Sequence, residues 1–365
     1  MYANRIVLIG TEKGLGVNLA GQITGTQAVS LDVNGNLKTS GNLYTDETAS
    51  IRAEHAENSG TVYGSRGGAV SARALHNDGK IISGMNAVLR ADRIVGSGTF
   101  GSGISPAGTA NADGSLTLDA KEIIQTNANI LSGKDISLTA DNIHTENTTI
   151  AGNGDIVVAS KGHLGIEKSV LQSGKNLSVR AETMPLTGNL FSGKDMTLTL
   201  GGDLDNTSAA DSFGNLHAGG NLTAEIQGTV SNRRNITAGE ELHLTATKNL
   251  AQNETGTIYG KNLTLSAANL SNQGLMQADN AVEIKTTQLK NDTAGRIYGD
   301  DVSVTATELH NDGKIVSGTN AVLRADRISG SGTFGSGISP AGTANADGSL
   351  TLDAKEIIQT NANIL

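Results

Sequence analysis

The sequence predicts an all-β protein, specifically a right-handed parallel β-helix, or solenoid, built from coils of about 20 residues. Three observations predict it: large side chains are scarce, a glycine-containing landmark recurs at coil-length intervals, and apolar residues occupy the same places inside each interval. Together these features indicate short strands that stack on one another instead of separate globular domains.

The composition excludes a bulky aromatic core. The 365 residues include 47 Gly and 3 Pro, no Trp and no Cys, and 4 Phe and 5 Tyr. Small aliphatic residues combined with Thr, Ser, Asn and Gly suit short strands joined by tight turns, because β-branched side chains fit a pleated sheet and Asn and Gly accept left-handed backbone angles. We therefore expect a thin, aliphatic interior.

A small residue or Tyr followed by Gly marks each repeat. One or two polar residues and then an alternating apolar strand follow this dipeptide, and most neighbouring copies are 19 to 22 residues apart. An interval of that length corresponds to one coil of a solenoid and not to a domain. Ala278-Asp279 replaces the dipeptide once. The glycines of the landmark are Gly84, Gly133, Gly152, Gly174, Gly193, Gly239, Gly260, Gly299 and Gly318.

Apolar residues inside the repeat are spaced by two and then by five or six positions. A step of two places two side chains on one face of a strand, whereas the longer step requires a bend before the next strand. We expect equivalent residues to stack, Leu over Leu and Asn over Asn, so that roughly 16 coils form a rod on the order of 80 Å long. The repeated sets are Leu116/Leu118/Ile123, Ile136/Leu138/Ile143, Ile156/Val158/Leu164, Met196/Leu198/Leu204, Leu263/Leu265/Leu270, Val282/Ile284/Leu289 and Val302/Val304/Leu309.

Residues 75–131 recur at 309–365 with three differences, which implies duplication of a 234-residue block. Each copy contains a turn-rich segment that interrupts the period, and we interpret 96–114 and 330–348 as irregular loop insertions or distorted coils. Because the second copy stops where the first continues, we expect the chain to be a piece of a longer array. The three differences are Ile82/Val316, Met85/Thr319 and Val95/Ser329.

Charge and hydropathy argue against two classes of partner. The net charge of −9 is spread thinly and disfavours binding to nucleic acid by counterion release. No apolar run approaches the ~20 residues that span a bilayer, so we predict no membrane insertion. The first residues lack the pattern of a signal peptide, and any export signal is expected upstream.

The opening segment, residues 1–21, resembles a segment that follows the secretion domain of filamentous-haemagglutinin-type proteins, and the coils after it are similar to that family's haemagglutinin repeats. The family includes the CdiA-type contact-dependent inhibition exoproteins. The resemblance implies a β-helix that is exported through an outer-membrane two-partner secretion transporter and is secreted or held at the bacterial cell surface. It also implies residues 1–28 as the first coil or coils after a secretion domain, and residues 29–365 as a continuous repeat array.

Candidate sites for chemistry are weak. The segment Gly96–Gly101 and its copy Gly330–Gly335 match the dinucleotide pattern G-x-G-x-x-G, but turn sequence follows where that site needs a helix. Asp155 and the pair Asp203/Asp205 suggest a calcium-binding repeat, yet neither occurs in tandem. The acidic pair Asp300-Asp301 fits a turn cap better than a catalytic carboxylate pair. The seven His residues are scattered without metal spacing: His55, His76, His144, His163, His217, His243 and His310.

Asn-x-Ser/Thr sequons are frequent, and we interpret them first as turn residues because Asn and Thr are abundant. Some related adhesins are glycosylated on Asn, which keeps modification open. Such sequons include those that begin at Asn147, Asn176, Asn206, Asn221, Asn235, Asn253, Asn262 and Asn291.

The sequence therefore predicts a structural shaft of a large surface adhesin or contact-dependent inhibition protein, and not an enzyme. We predict no catalytic residue, no cofactor and no metal site. The expected partners are the outer-membrane transporter during export and a receptor on a host cell or a neighbouring bacterium. Two alternatives stay open at this point: a β-helix polysaccharide lyase or hydrolase, and a glycan-binding adhesin module in its own right.

Overall fold

The computed structural model describes residues 1–12, 16–110, 114–207, 212–339, 343–344 and 348–365. These residues form strands, turns and bends, and no helix occurs among them. The chain divides into two compact units, unit 1 at Met1–Glu182 and unit 2 at Thr183–Leu365. Each unit is a parallel β-solenoid, and the chain contains about 16 coils in total. The predicted all-β parallel fold is confirmed.

Unit 1 is built from short strands that pair in parallel with strands one coil away. Its strands are β1 Tyr2–Ala3, β2 Ile6–Gly10, β3 Val17–Leu19, β4 Gln22–Gly25, β5 Val29–Thr39, β6 Asn42–Thr45, β7 Thr48–Asn58, β8 Thr61–Gly64, β9 Gly67–Asn77, β10 Lys80–Ser83, β11 Ala87–Arg90, β12 Arg93–Gly96, β13 Thr99–Ser102, β14 Leu116–Asp119, β15 Glu122–Thr126, β16 Asn129–Ser132, β17 Ile136–Ala140, β18 Asn142–Glu146, β19 Thr149–Gly152, β20 Ile156–Ser160, β21 Leu164–Ser173 and β22 Leu177–Ala181.

Unit 2 follows the same plan, with longer strands that pass through the corners of the coil. Its strands are β23 Met184–Ser192, β24 Met196–Leu200, β25 Leu204–Asn206, β26 Leu216–Ala218, β27 Leu222–Ile226, β28 Val230–Asn232, β29 Asn235–Ala238, β30 Glu241–Gln252, β31 Thr257–Asn272, β32 Leu275–Asn291, β33 Arg296–Thr305, β34 Glu308–Asn311, β35 Lys314–Gly330, β36 Thr333–Gly335, β37 Ser349–Gln359 and β38 Asn363–Ile364.

A regular coil contributes three strands. In unit 1, β14, β15 and β16 follow one another, and each pairs with its equivalent in the next coil: Leu116 lies opposite Ile136, and Ile123 lies opposite Ile143. The bend required by the spacing of two and five falls at Lys121, between β14 and β15. The predicted strand assignment inside the repeat is therefore confirmed.

Unit 2 shows the same stacking over longer strands. Leu263 pairs with Val282, which pairs with Val302, so the three apolar positions form one column. Where a strand continues through a corner, the pairing can shift register, as between Ala246 and Asn249 of β30. The longer step between apolar residues is thus a bend in some coils and an irregular ladder in others.

The interior is a narrow aliphatic column, as predicted from composition. Burial alternates along the strands, so that every second side chain points inward, for example in β17 and β22. Most inward positions carry Leu, Ile, Val or Ala. The largest fully buried side chains are Phe100 and Phe334, which occupy the same position in the two copies of the duplicated block. Each coil can bury this face only against its neighbours.

The turn-rich segments contain both regular and irregular backbone. Thr99–Ser102 is an ordinary third strand that pairs with β10 on one side and β16 on the other. The chain then leaves the coil as a short strap, residues 103–110, with an isolated antiparallel bridge between Ile104 and Ala110. Unit 2 has the equivalent bridge between Ile338 and Ala344, and we call its described residues, 337–339 and 343–344, the strap of unit 2. The predicted insertions also contain 111–113, 340–342 and 345–347, which lie outside the described residues.

The strap in unit 1 packs on the outer face of the third strands. The backbone N–H of Ile104 donates to the Ser83 carbonyl at 3.0 Å, and the Ile104 side chain covers Ile82 and Gly101. Both isoleucines are under 5% exposed although they lie outside the aliphatic column. The strap therefore forms a small second apolar cluster.

The predicted division of the chain into residues 1–28 and residues 29–365 stays a prediction.

Candidate functional site

Unit 2 contains a buried column of carboxamides, which we call the amide column. Asn272 Nδ2 donates to Asn291 Oδ1 at 2.8 Å, and Asn291 Nδ2 donates to Asn311 Oδ1 at 2.7 Å. Asn311 Nδ2 then donates to the Thr333 carbonyl at 3.0 Å. A buried amide without such partners would cost about 1–3 kcal/mol, so the column favours one register of stacking. Its members, each at most 1% exposed, are Asn206, Asn232, Gln252, Asn272, Asn291 and Asn311.

A glycine ends the amide column. Gly330 follows Asn311 in the next coil and has a φ of +130°, and a Cβ there would lie 2.0 Å from the Asn311 carbonyl oxygen. Unit 1 has the same arrangement: Asn58 Nδ2 donates to Asn77 Oδ1 at 2.7 Å, and Gly96 then adopts a φ of +142°. Only glycine fits this close approach at a positive φ.

The dinucleotide motif is part of the coil. Gly96 ends β12, and β13 begins three residues later, so a strand follows where a cofactor loop needs a helix. Phe100, inside the motif, is fully buried in the aliphatic column. The glycines thus serve the close approach to Asn77 and the turn, as the interpretation of this segment as a turn predicted.

The candidate calcium residues cap turns between coils. Asp155 Oδ1 accepts the backbone N–H of Asn176 at 3.0 Å, and Asp203 Oδ1 accepts that of Thr229 at 2.7 Å. Asp205 accepts the backbone N–H of Thr207 at 3.1 Å. Within the described parts of the chain, no group of three or more His, Asp or Glu side chains could hold a metal ion.

Asp301 also caps the next coil. Its carboxylate accepts the Thr319 hydroxyl at 2.6 Å and the Asn320 backbone N–H at 3.2 Å. The Thr319 hydroxyl is the main cause that lowers the pKa of Asp301, with Asn320 adding to it and partial burial opposing it. A carboxylate that is held ionised in this way suits a cap better than a general acid.

Two His–Asp pairs were not foreseen from the scattered His pattern. The ring of His76 lies 2.8 Å from the Asp78 carboxylate, and His310 lies 2.8 Å from Asp312. Hydrogen bonds from the backbone N–H and then the hydroxyl of Ser331 lower the pKa of Asp312 against partial burial, and His310 adds to them. A His-x-Asp spacing at the end of a strand is the signal that would have predicted these pairs.

The structure divides the sequons into two groups. Asn206 and Asn291 belong to the amide column and are fully buried, so their side chains cannot accept a glycan. Asn147 has a φ of 48° and lies exposed at a left-handed turn, which agrees with its interpretation as a turn residue. Other exposed or half-buried sequon residues include Asn176, Asn221, Asn235, Asn253 and Asn262.

Comparison with known proteins finds a repeat family that matches part of the chain and one similar protein. The Haemagglutinin repeat family matches residues 86–166, 159–208 and 334–365. The protein named 16S rRNA endonuclease CdiA, from Enterobacter cloacae subsp. cloacae, is 26% identical over an alignment that covers 99% of this chain and 10% of that protein. The chain therefore spans about a tenth of the length of this relative. No solved structure matches.

Membrane-spanning helices are absent from the part of the chain that the structure describes.

The matched repeats coincide with stacked coils of both units, and the alignment to the CdiA protein runs over nearly all of them. This confirms the resemblance that the opening segment and the coil period suggested. The chain thus contains haemagglutinin repeats and is similar over nearly its whole length to a protein of the CdiA type.

Proposed function

We propose that this chain is a segment of the shaft of a surface adhesin or contact-dependent inhibition protein, which holds a distal binding or toxin module away from the cell. The proposal includes export through an outer-membrane two-partner secretion transporter and a final location outside the cell or at its surface. Residues 1–28 would follow the secretion domain, and 29–365 would continue the array.

The observation that carries the proposal is stacking in register, sustained coil after coil within each unit. Aliphatic residues repeat over aliphatic residues, and in unit 2 six buried carboxamides follow one another. Such a structure adds length with each coil and needs no contact other than its neighbours. The candidate catalytic and metal residues cap turns instead of converging on a cleft.

Deletion of whole coils tests the spacer role in the full-length protein. Removing residues 136–155 brings Ile156 to the place of Ile136 opposite Leu116, because the three residues stack in one column. We expect this variant to be exported, to resist protease and to keep the activity of its distal module at a shorter reach. A matched deletion of residues 136–145 removes half a coil and should lose protease resistance.

Two outcomes contradict the shaft. If the whole-coil variant reaches the surface folded but no longer adheres or delivers its toxin at any distance, coil 136–155 contains a binding site, as the glycan-binding alternative requires. If the isolated chain cleaves an acidic polysaccharide, and if Asp301→Asn abolishes the cleavage, the enzyme alternative replaces the shaft.

A further inference from the structure

We propose that unit 2 carries a binding site for a small amphipathic carboxylate, in a groove beside its strap. The groove has a volume of about 240 Å³. We call it the strap groove and define it by four apolar or aromatic residues and two cations: Leu275, Tyr298, Val316, Ile338, Arg296 and Lys314. This site does not depend on the shaft function.

The groove lies between two rows of side chains on the outer face of the third strands. One row places Leu275, Arg296 and Lys314 in successive coils. The other row lies two residues further along each strand, where Tyr298 pairs with Val316. Side chains two residues apart share a face of a strand, so the rows run side by side.

The strap closes one side of the groove. The backbone N–H of Ile338 donates to the Ser317 carbonyl at 3.0 Å, which holds Ile338 over Gly335. Val316 and Ile338 are each 8% exposed, whereas Leu275 and Tyr298 are half-buried. The half-buried pair therefore leaves apolar surface that a ligand of side-chain size could cover.

The charges of the groove select an anion. No described carboxylate lies within 4.0 Å of the Arg296 or Lys314 side chain, whereas nearby Lys290 pairs with Asp292 at 2.8 Å. The described lining contains no Asp or Glu side chain, and the oxygen of the terminal residue Leu365, which also lines the groove, accepts the Ser336 backbone N–H at 3.2 Å. A guanidinium and an ammonium next to apolar surface suit a carboxylate on a compact apolar body, because Arg binds a carboxylate with two parallel hydrogen bonds.

Asp300 fixes the orientation of such a ligand. Burial and then the Asp300 carboxylate raise the pKa of the Tyr298 hydroxyl, so this end of the groove is both neutral and close to an anion. A ligand carboxylate would be repelled there and would lie toward Arg296 and Lys314. The Tyr298 ring then offers its face to the apolar body.

The corresponding place in unit 1 supplies an internal control. Tyr63, Lys80, Ile82 and Ile104 repeat the arrangement of Tyr298, Lys314, Val316 and Ile338, since Tyr63 pairs with Ile82 and Lys80 pairs with Thr61. Two replacements remove a cation and a leucine, while Tyr44 stands where unit 2 has Gln277. Asn42 stands where unit 2 has Leu275, and Thr61 stands where unit 2 has Arg296.

The test uses the whole chain with 2-naphthoate, an aromatic carboxylate, and with 2-naphthamide as its neutral counterpart. Methyl NMR should show 2-naphthoate shifting Ile338 and Val316 with a Kd on the order of 1 mM or tighter. The double variant Leu275→Asn, Arg296→Thr should weaken binding at least about fivefold, because it removes the guanidinium and the leucine that unit 1 lacks. The reverse variant Asn42→Leu, Thr61→Arg should create binding that shifts Ile104.

Three outcomes overturn the proposal. Equal affinity for 2-naphthamide would mean that the cations do not select the ligand. Binding of 2-naphthoate without shifts at Ile338 or Val316 would place the ligand elsewhere. Unchanged affinity in the Leu275→Asn, Arg296→Thr variant, with its amide exchange pattern preserved, would show that neither residue contributes to binding.

Discussion

Residues 116–131 and 350–365 have the same sequence but different surroundings. In the first copy, Leu118 lies between Leu89 and Leu138 and is fully buried. In the second copy, as an isolated chain of 365 residues presents it, the equivalent Leu352 pairs with Leu323 on one side, and Ile357 is 46% exposed. The difference shows that burial in this fold belongs to the contact between coils and not to the coil itself.

Two of the three substitutions between the copies introduce a local contact in the second copy, and the third changes a side-chain volume. Thr319 replaces Met85 and donates to Asp301, and Ser329 replaces Val95 and lies 3.0 Å from His310 Nδ1. Val316 replaces Ile82 and is one methylene smaller beneath the strap. The duplicated block is therefore conserved inside the aliphatic column and varies on the outer face.

Covering the second copy should have the largest effect. Fusing a copy of residues 132–166 after Leu365 supplies the coil that covers the first copy, and should stabilise residues 350–365 by on the order of 5 kcal/mol, since several large side chains become buried. Hydrogen exchange of those residues measures it. The control is the same fusion with Ile136→Asp and Leu138→Asp made only in the fused copy of residues 132–166. Equal protection with and without the intact fusion would contradict the comparison.

Truncation of a leucine that occurs in both copies should have the second-largest effect. Leu118→Ala should cost about 3 kcal/mol because it leaves a cavity between two coils, whereas Leu352→Ala should cost about 1 kcal/mol or less. Urea unfolding followed by local hydrogen exchange separates the two, since coils of a solenoid need not unfold together. Similar losses at both positions would show that Leu352 is as well packed as Leu118.

The matched asparagines should behave alike, in contrast to the leucines. Asn77 and Asn311 each accept from the preceding Asn at 2.7 Å and donate to a carbonyl of the following coil. Each Asn→Ala change should therefore cost about 2 kcal/mol through the lost bonds and the unpaired neighbour. Denaturation midpoints of the two variants give the comparison, and a difference above about 1 kcal/mol would disprove their equivalence.

A smaller effect is expected where the copies differ. Thr319→Val removes the hydroxyl that Asp301 accepts and should cost about 1 kcal/mol. The pKa of Asp301, followed by NMR, should rise toward its ordinary value because Thr319 is the first cause of its lowering. Met85→Val in the first copy is the control and should change neither quantity. An unmoved pKa in Thr319→Val would reject this role.

The smallest expected effect is on the stability of the fold at acidic pH. The folded-state pKa of Asp312 lies below the ordinary value of 3.8, chiefly because Ser331 donates to the carboxylate. This carboxylate therefore contributes stability that is present above that ordinary pKa and is lost as the pH falls through the folded-state pKa. Asp312→Asn should reduce the change in urea midpoint between pH 6 and pH 3. Asp353→Asn, at an exposed ion pair with Arg324, should alter it less.

Periodicity predicted most of the fold because strand stacking repeats a local pattern. The spacing of Leu263 and Leu265, followed by a longer step, required two strands and a bend, and equal spacing in later coils required their alignment. Those inferences need no knowledge of distant contacts. The positions of Leu263, Val282 and Val302 in one column follow from them.

The features that sequence reasoning missed depend on contacts between coils or with the strap. Asn291 lies in a sequon and suggested a turn, yet it is buried because Asn272 and Asn311 satisfy its amide. Ile104 lies in turn sequence, and only the position of the Ser83 carbonyl shows that it packs on the outer face. The strap groove likewise combines residues from several coils that no local pattern connects.

The amide column has a consequence for errors during folding. If a coil were added one residue out of place, Asn291 would turn toward solvent, and Lys290, which is exposed in the native coil, would enter the aliphatic interior. The amide of Asn272 would then be left without its acceptor in a nonpolar environment. A one-residue slip therefore carries a free-energy penalty at the coil where it occurs.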